Sequence, residues 1–104
     1  MQVVIAPQVH QIIEDFYEHA LLNHETYDEI SVIRKVDRLY DALEKIGEFA
    51  RIHPKARLKK EWILNDYYES ITEDFHFAYY IAEDEDGNEV AIIVDACHSL
   101  LYHK

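Results

Sequence analysis

Apolar residues recur along this chain with two different periods. Val9, Ile12, Ile13, Phe16, Tyr17, Ala20 and Leu21 fall at i, i+3, i+4, i+7, i+8, i+11 and i+12, the stripe of one helix expected to run to about His24. Before it, Val3, Val4 and Ile5 form a short β-branched run that stops at Pro7, a residue suited to a first helical turn. A polar break from Asn23 to Asp28 leads to a second stripe, Val32, Val36, Leu39, Leu43, Ile46 and Ala50, spaced alternately by four and three as in a coiled-coil seam. The two helices should pack as a hairpin. Pro54 is expected to end the second one, because the residue before a proline, here His53, is pushed out of helical geometry.

After Pro54 the period becomes that of strands. Trp62, Ile63 and Leu64 read as a short apolar strand, followed by Tyr67 to Thr72, Phe75 to Ala82 and Val90 to His98. Phe75, Phe77, Tyr79 and Ile81 alternate with His76, Ala78, Tyr80 and Ala82, so the first set belongs to the core and the second faces outward or into a cleft. Asp86-Gly87-Asn88 signals a hairpin turn, since Gly and Asn tolerate the positive φ that such turns require. Val90, Ile92, Val94 and Ala96 form one face of the last strand, and Ile93 makes the other face apolar too, which predicts a central strand. The expected architecture is a single α+β domain over residues 1–104: an N-terminal strand, an antiparallel helical hairpin, then C-terminal antiparallel strands forming a small twisted sheet.

Charge changes this picture. The chain carries a net charge of -11, and between Lys60 and Lys104 it has no Lys or Arg but eleven Asp and Glu. An aromatic-rich sheet would suit nucleic acid, yet most affinity for DNA or RNA comes from cations that neutralise phosphates. The acidic sheet therefore argues against direct nucleic-acid binding and against anionic membranes, and favours a basic partner. Five of the ten cations sit in one segment, Arg51, Lys55, Arg57, Lys59 and Lys60, expected to be mostly loop. One cysteine, Cys97, excludes an internal disulfide framework, and with no charged-then-apolar leader in view the expected location is the cytoplasm. With two glycines there is no glycine-rich phosphate loop.

Several short motifs point to a family. The Ala6-Pro7 helix start, the hairpin closing in Phe49-Ala50-Arg51-Ile52-His53-Pro54, the strand pair Tyr68-Glu69-Ser70-Ile71 and Phe75-His76-Phe77-Ala78-Tyr79-Tyr80, and the ending Cys97-His98-Ser99 occur in order over nearly the whole chain. In these the chain resembles the RelE/ParE superfamily of toxins from type II toxin–antitoxin modules, the plasmid-stabilisation systems. The resemblance implies a growth inhibitor held by a cognate antitoxin protein. RelE-like members cut ribosome-bound messenger RNA, and ParE-like members poison DNA gyrase. Two departures fall on the active face. His76 stands where the RNA-cutting branch usually has arginine, and Ser99, Leu100 and Leu101 replace the basic residues that follow the final-strand histidine. Neutral imidazole does not replace guanidinium groups in stabilising a phosphorane, so a gyrase target is favoured over the ribosome and enzymatic activity stays open.

The candidate catalytic residues are His76, His98 and Tyr102, with His103 nearby and Arg57, Lys59 or Lys60 reaching in from the basic loop. Two histidines across a cleft can divide acid and base roles in a metal-free ribonuclease. On the structural reading His76 is a solvated strand residue and His98 a hydrogen-bonding residue at the sheet's end. Arg57, Lys59, Lys60, Tyr68 and Tyr80 are the candidate target- or partner-binding residues, with Tyr68 and Tyr80 placed on the outer face and Tyr79 beneath the helices. A non-catalytic module binding a protein, or another copy of itself as a homodimer, is the alternative on the same fold.

No cofactor or metal is expected. His10 with Glu14 and Asp15 with His19 share the i, i+4 spacing of paired ligands but lack a third. Cys97 and His98 are strand neighbours that point to opposite faces, against a thiol–imidazole pair, and Glu83 to Asp86 reads as a solvated acidic turn.

Overall fold

The computed structural model describes residues 1–23 and 28–99. Its elements are β1 (Gln2–Ile5), α1 (Pro7–Asn23), α2 (Glu29–Lys45), a 3-10 turn (Ile46–Phe49), α3 (Lys60–Leu64), β2 (Tyr68–Thr72), β3 (Phe75–Glu83) and β4 (Glu89–His98). The expected α+β class holds, with three α-helices and one four-stranded sheet. The strand layout differs from the expected one. The sheet order is β1-β4-β3-β2, and β1 joins it parallel to β4, so the sheet is mixed. β4 is central as its two apolar faces predicted, because β1 and β3 flank it.

Both stripes were read in the right place, but their ends differ. Pro7 opens α1, and Ala6 N–H donates to Ile93 O at 2.9 Å, tying the helix start to β4. Asp28 caps α2 by accepting from Ser31 N–H at 2.7 Å, which holds its carboxyl below the usual carboxylate range. Pro54 does not end α2, which stops at Lys45 and tightens into the 3-10 turn. In that turn Gly47 passes so close to β1 that a Cβ would collide with the carbonyl oxygen of Met1. The tighter winding brings this turn against the start of β1 while Ile46 and Ala50 stay buried.

The helices run antiparallel over one face of the sheet. His10, early in α1, bonds through Nδ1 to the hydroxyl of Tyr40, late in α2, at 2.7 Å. Beneath them Val9, Ile13, Tyr17, Val32, Leu39 and Leu43 meet Phe75, Phe77, Tyr79 and Ile93 in one continuous core. Fully burying an aliphatic or aromatic side chain contributes about 1.5–3 kcal/mol, so this layer carries most of the favourable free energy.

The segment expected to contribute a strand at Trp62 forms a helix instead. Trp62 is buried, whereas Ile63 and Leu64 are exposed, so the apolar triplet has only one residue to place inside. α3 ends with Asp66 at φ 57°, Asp66 N–H bonded to Ile63 O and Tyr67 N–H to Trp62 O, the left-handed C-terminal cap that glycine usually occupies. This segment lies on the opposite face of the sheet, where Ala56 and Trp62 pack on Ala78 with Leu58, Tyr67, Val94 and Cys97 around them. The molecule is thus three layers: two helices, the sheet, and a strap formed by residues 54–67.

One irregularity reassigns the faces of β4. Ala78 pairs with Asp95 but Tyr79 with Ile93, so Val94 is an extra residue, a β-bulge. The Gln8 side chain donates to Val94 O, and Asp95 accepts from Ala96 N–H at 2.9 Å. Alternation predicted one face for Val90 through Ala96; beyond the bulge the parity switches, so Ala91, Ile93 and Ala96 all belong to the helix-facing core.

Candidate functional site

The bulge and the strand register decide which candidate residues can meet. Phe75 pairs with His98 and His76 with Cys97, and neighbours along a strand point to opposite faces. His98 therefore enters the helix-facing core. Its ring stacks on Phe16 with centroids 3.9 Å apart and meets the edge of Phe75 at 4.8 Å. It is 5 % exposed, and burial pushes its pKa below the ordinary histidine value, favouring the neutral ring. His76 lies on the strap side. The expected division of acid and base between His76 and His98 across one cleft is thereby overturned. Tyr102 and His103 lie outside the described residues.

His76 belongs to a different constellation, which sequence reasoning missed. Its Nδ1 bonds Glu69 Oε2 at 2.7 Å, and its Nε2 lies within hydrogen-bond distance of Ser99 Oγ at 3.1 Å. The Ser99 hydroxyl in turn donates to Asp74 O at 2.9 Å, and Ser99 N–H reaches the same oxygen at 2.8 Å. The residue types are those of a serine–histidine–carboxylate relay, but a nucleophile must donate its proton toward the imidazole, and here it points away.

Glu69 is the hub of this network. Two residues away from His76's cross-strand partner, it sits diagonally opposite the imidazole on the same face. Its Oε1 accepts from Arg57 N–H at 3.0 Å and Leu58 N–H at 3.3 Å. Burial works against the Glu69 carboxylate, but the bonds from His76, Arg57 and Leu58 outweigh it and leave the pKa below the usual value. The strap is held as well by Glu69 N–H to Pro54 O at 2.9 Å, Ala56 N–H to Tyr67 O at 2.8 Å, and Trp62 Nε1–H to Asp95 Oδ2 at 2.8 Å.

The expected partner-binding residues scatter. Arg57 and Lys60 are exposed, while Lys59 is half-buried with Nζ 4.0 Å from Asp95 Oδ2 and 5.5 Å from the Trp62 ring. Lys55 pairs with Asp66 at 3.3 Å, and Arg51 with Glu89. Tyr68 and Tyr80 do not share a face. Tyr68 pairs with Tyr79 and stacks on it at 5.3 Å, on the helix side, whereas Tyr80 stacks on Tyr67 at 6.0 Å on the strap side. Tyr79 does lie beneath the helices, donating to Ala50 O at 2.7 Å and bonding His53 Nδ1 at 2.9 Å; burial raises its pKa to about 12.

No family model, curated protein or solved structure matches this chain. Among the described residues no group of His, Cys, Asp and Glu could hold a metal ion, and no helix is long and apolar enough to cross a membrane. The paired residues of α1 have other partners: His10 bonds Tyr40, and Asp15 accepts from Gln11 Nε2 at 2.7 Å. Burial raises the Cys97 thiol's pKa, which disfavours the reactive thiolate.

The chemistry open to this arrangement is narrow. A carboxylate-held imidazole can carry a proton, but cleavage of RNA also needs a second proton carrier and cations around the phosphate. Two of the strap's four cations, Lys55 and Lys59, are engaged with carboxylates, as is Arg51 just before it. What the face offers is a rigid, hydrogen-bonded surface.

Proposed function

We propose that this chain is a cytoplasmic growth-inhibiting toxin of the RelE/ParE type that acts by binding a protein, DNA gyrase in preference to ribosome-bound messenger RNA, and is held by a cognate antitoxin. The observation that carries the choice of target is the placement of His76 and His98 on opposite faces of the sheet. On opposite faces these two imidazoles do not share the acid and base roles of an in-line attack, and Lys59 is drawn to Asp95. Gyrase poisoning requires a binding surface and no chemistry from the toxin itself.

A second reading is a non-catalytic binding module that keeps the fold without toxicity. Exposed apolar residues on several elements, including Ile33 and Ile71, favour protein contact of some kind.

Tightly controlled induction of the chain alone in a bacterial host tests both. Growth arrest with altered plasmid supercoiling and intact messages is the expected result. Arrest with fragmented messages that His76→Ala abolishes without unfolding would restore the RNA-cutting reading. Normal growth at confirmed expression would leave the binding module.

A further inference from the structure

At the end of the sheet remote from His76, a groove of about 800 Å³ opens between the start of β1, the 3-10 turn with the residues after it, and the β3–β4 hairpin. It is built rather than incidental. Gly47 lets the 3-10 turn approach the Met1 carbonyl more closely than any side chain would allow, and Gly87 at φ 80° sets the hairpin turn that forms the opposite wall.

The lining combines exposed apolar side chains with carboxylates. Met1, Phe49 and Ile52 all border the groove and are 43 %, 53 % and 76 % exposed. Around them stand Glu48, Asp84 and Glu89, with Glu83, Glu85 and Asp86 on the same hairpin. Arg51 also lines the groove, but Glu89 already engages it. Asp84 is occupied by the turn, accepting from Asp86 N–H and Asn88 N–H at 2.9 Å. Glu48, Glu85 and Asp86 form no ion pair among the described residues.

We infer that this groove is a docking site for a peptide segment of a partner protein that carries one large apolar anchor flanked by Lys or Arg. The anchor covers Phe49 and Ile52, and the cations relieve the repulsion among the hairpin carboxylates. Charge complementarity selects this occupant. A second copy of a chain with a net charge of -11 brings its own excess of acid to the contact, and an acidic peptide is repelled. The site is independent of the growth-inhibition reading, since it lies at the other end of the sheet from His76 and involves none of the residues proposed for toxicity.

The test uses the purified full chain and a short fluorescent peptide with a Leu-Trp anchor between Lys-Arg flanks. Two controls accompany it: the same anchor with Glu flanks, and the same cations without the anchor. The cationic anchored peptide is expected to bind at least about tenfold more tightly than either control and to weaken as salt screens the carboxylates. Amide shifts should map to residues 1–2, 47–52 and 84–90. Ile52→Ser and the pair Glu48→Lys, Asp86→Lys should each weaken binding by about fivefold to tenfold, with the melting temperature unchanged because these side chains are exposed. Equal binding of the anchorless peptide, or no loss in Ile52→Ser, would reduce the contact to unspecific charge and overturn the site. So would shifts centred on Arg57 and Lys60, or a concentration-dependent dimer whose interface shifts cover the groove.

Discussion

The two faces of the sheet are held by different physics. On the helix side Phe75, Phe77 and Tyr79 are fully buried among aliphatic side chains, and the buried imidazole there, His98, packs flat against Phe16. On the strap side only Ala56, Trp62 and Ala78 form a buried apolar cluster, and the segment is tied down by Glu69 and Asp95 through backbone and indole N–H groups. The same residue type takes different roles across one sheet: His98 stacks as an aromatic ring, while His76 is hydrogen-bonded to a carboxylate and a hydroxyl. A histidine's identity therefore says little about its chemistry until the face it occupies is known.

That contrast can be broken by substitution, most strongly in the core. Phe77→Ala should cost about 3–5 kcal/mol in urea or thermal unfolding, because it combines lost burial with a cavity in the closest-packed layer. A loss below about 1 kcal/mol would mean that the helix layer collapses to fill the space.

Glu69→Ala should cost less, about 2–3 kcal/mol, by leaving the N–H groups of Arg57 and Leu58 and the His76 ring without their acceptor. Its distinctive sign is local: amide hydrogen exchange at Arg57 and Leu58 should accelerate more than exchange in β4. Unchanged protection at those two amides would show that Trp62 packing alone holds the strap.

pH separates the faces further. The pKa of His98 is lower folded than unfolded, so the unfolded chain binds the proton more readily, and stability present above about pH 6.5 falls as pH drops through the folded value. Glu69 is likewise depressed from 4.5, so its contribution is present above that pH and is lost at more acid values. His98→Phe should keep the stack on Phe16 and abolish the first of these losses while leaving the second. A stability curve in the variant that still declines between pH 6.5 and 5 would place that loss elsewhere.

The smallest effect is expected at the β2–β3 turn. Glu73 and Asp74 both have positive φ, at 48° and 67°, with Arg38 donating to Glu73 and Ser99 to the Asp74 carbonyl. Asp74→Gly should stabilise the chain by up to about 1 kcal/mol by removing the left-handed penalty, measured as a higher denaturation midpoint with an unchanged slope.

Much of the fold could be read along the chain because periodicity is local. The stripes of α1 and α2, the alternation of β3 and the hairpin at Gly87 each follow from side-chain spacing alone. The strap was harder to read, since one buried Trp among two exposed aliphatic residues looks the same in sequence whether it lies on a strand or a helix. Of the candidate site, His76 was visible as an outward-facing strand residue, but Glu69 and Ser99 were not, because hydrogen-bond partners brought together from β2, β3 and the end of β4 leave no spacing signal.

By itself the sequence determined the type of every long element, the acidic balance and the absence of Lys and Arg from the C-terminal strands. The tertiary structure alone decided that β1 lies parallel beside β4, that Tyr68 and Tyr80 part company, and that His76 and His98 never meet. For the two histidines the physical reason is one extra residue. A bulge at Val94 reverses the parity of everything after it, and because a strand's side chains alternate with a period of two, such a shift leaves the composition untouched while exchanging the inside of the molecule for the outside.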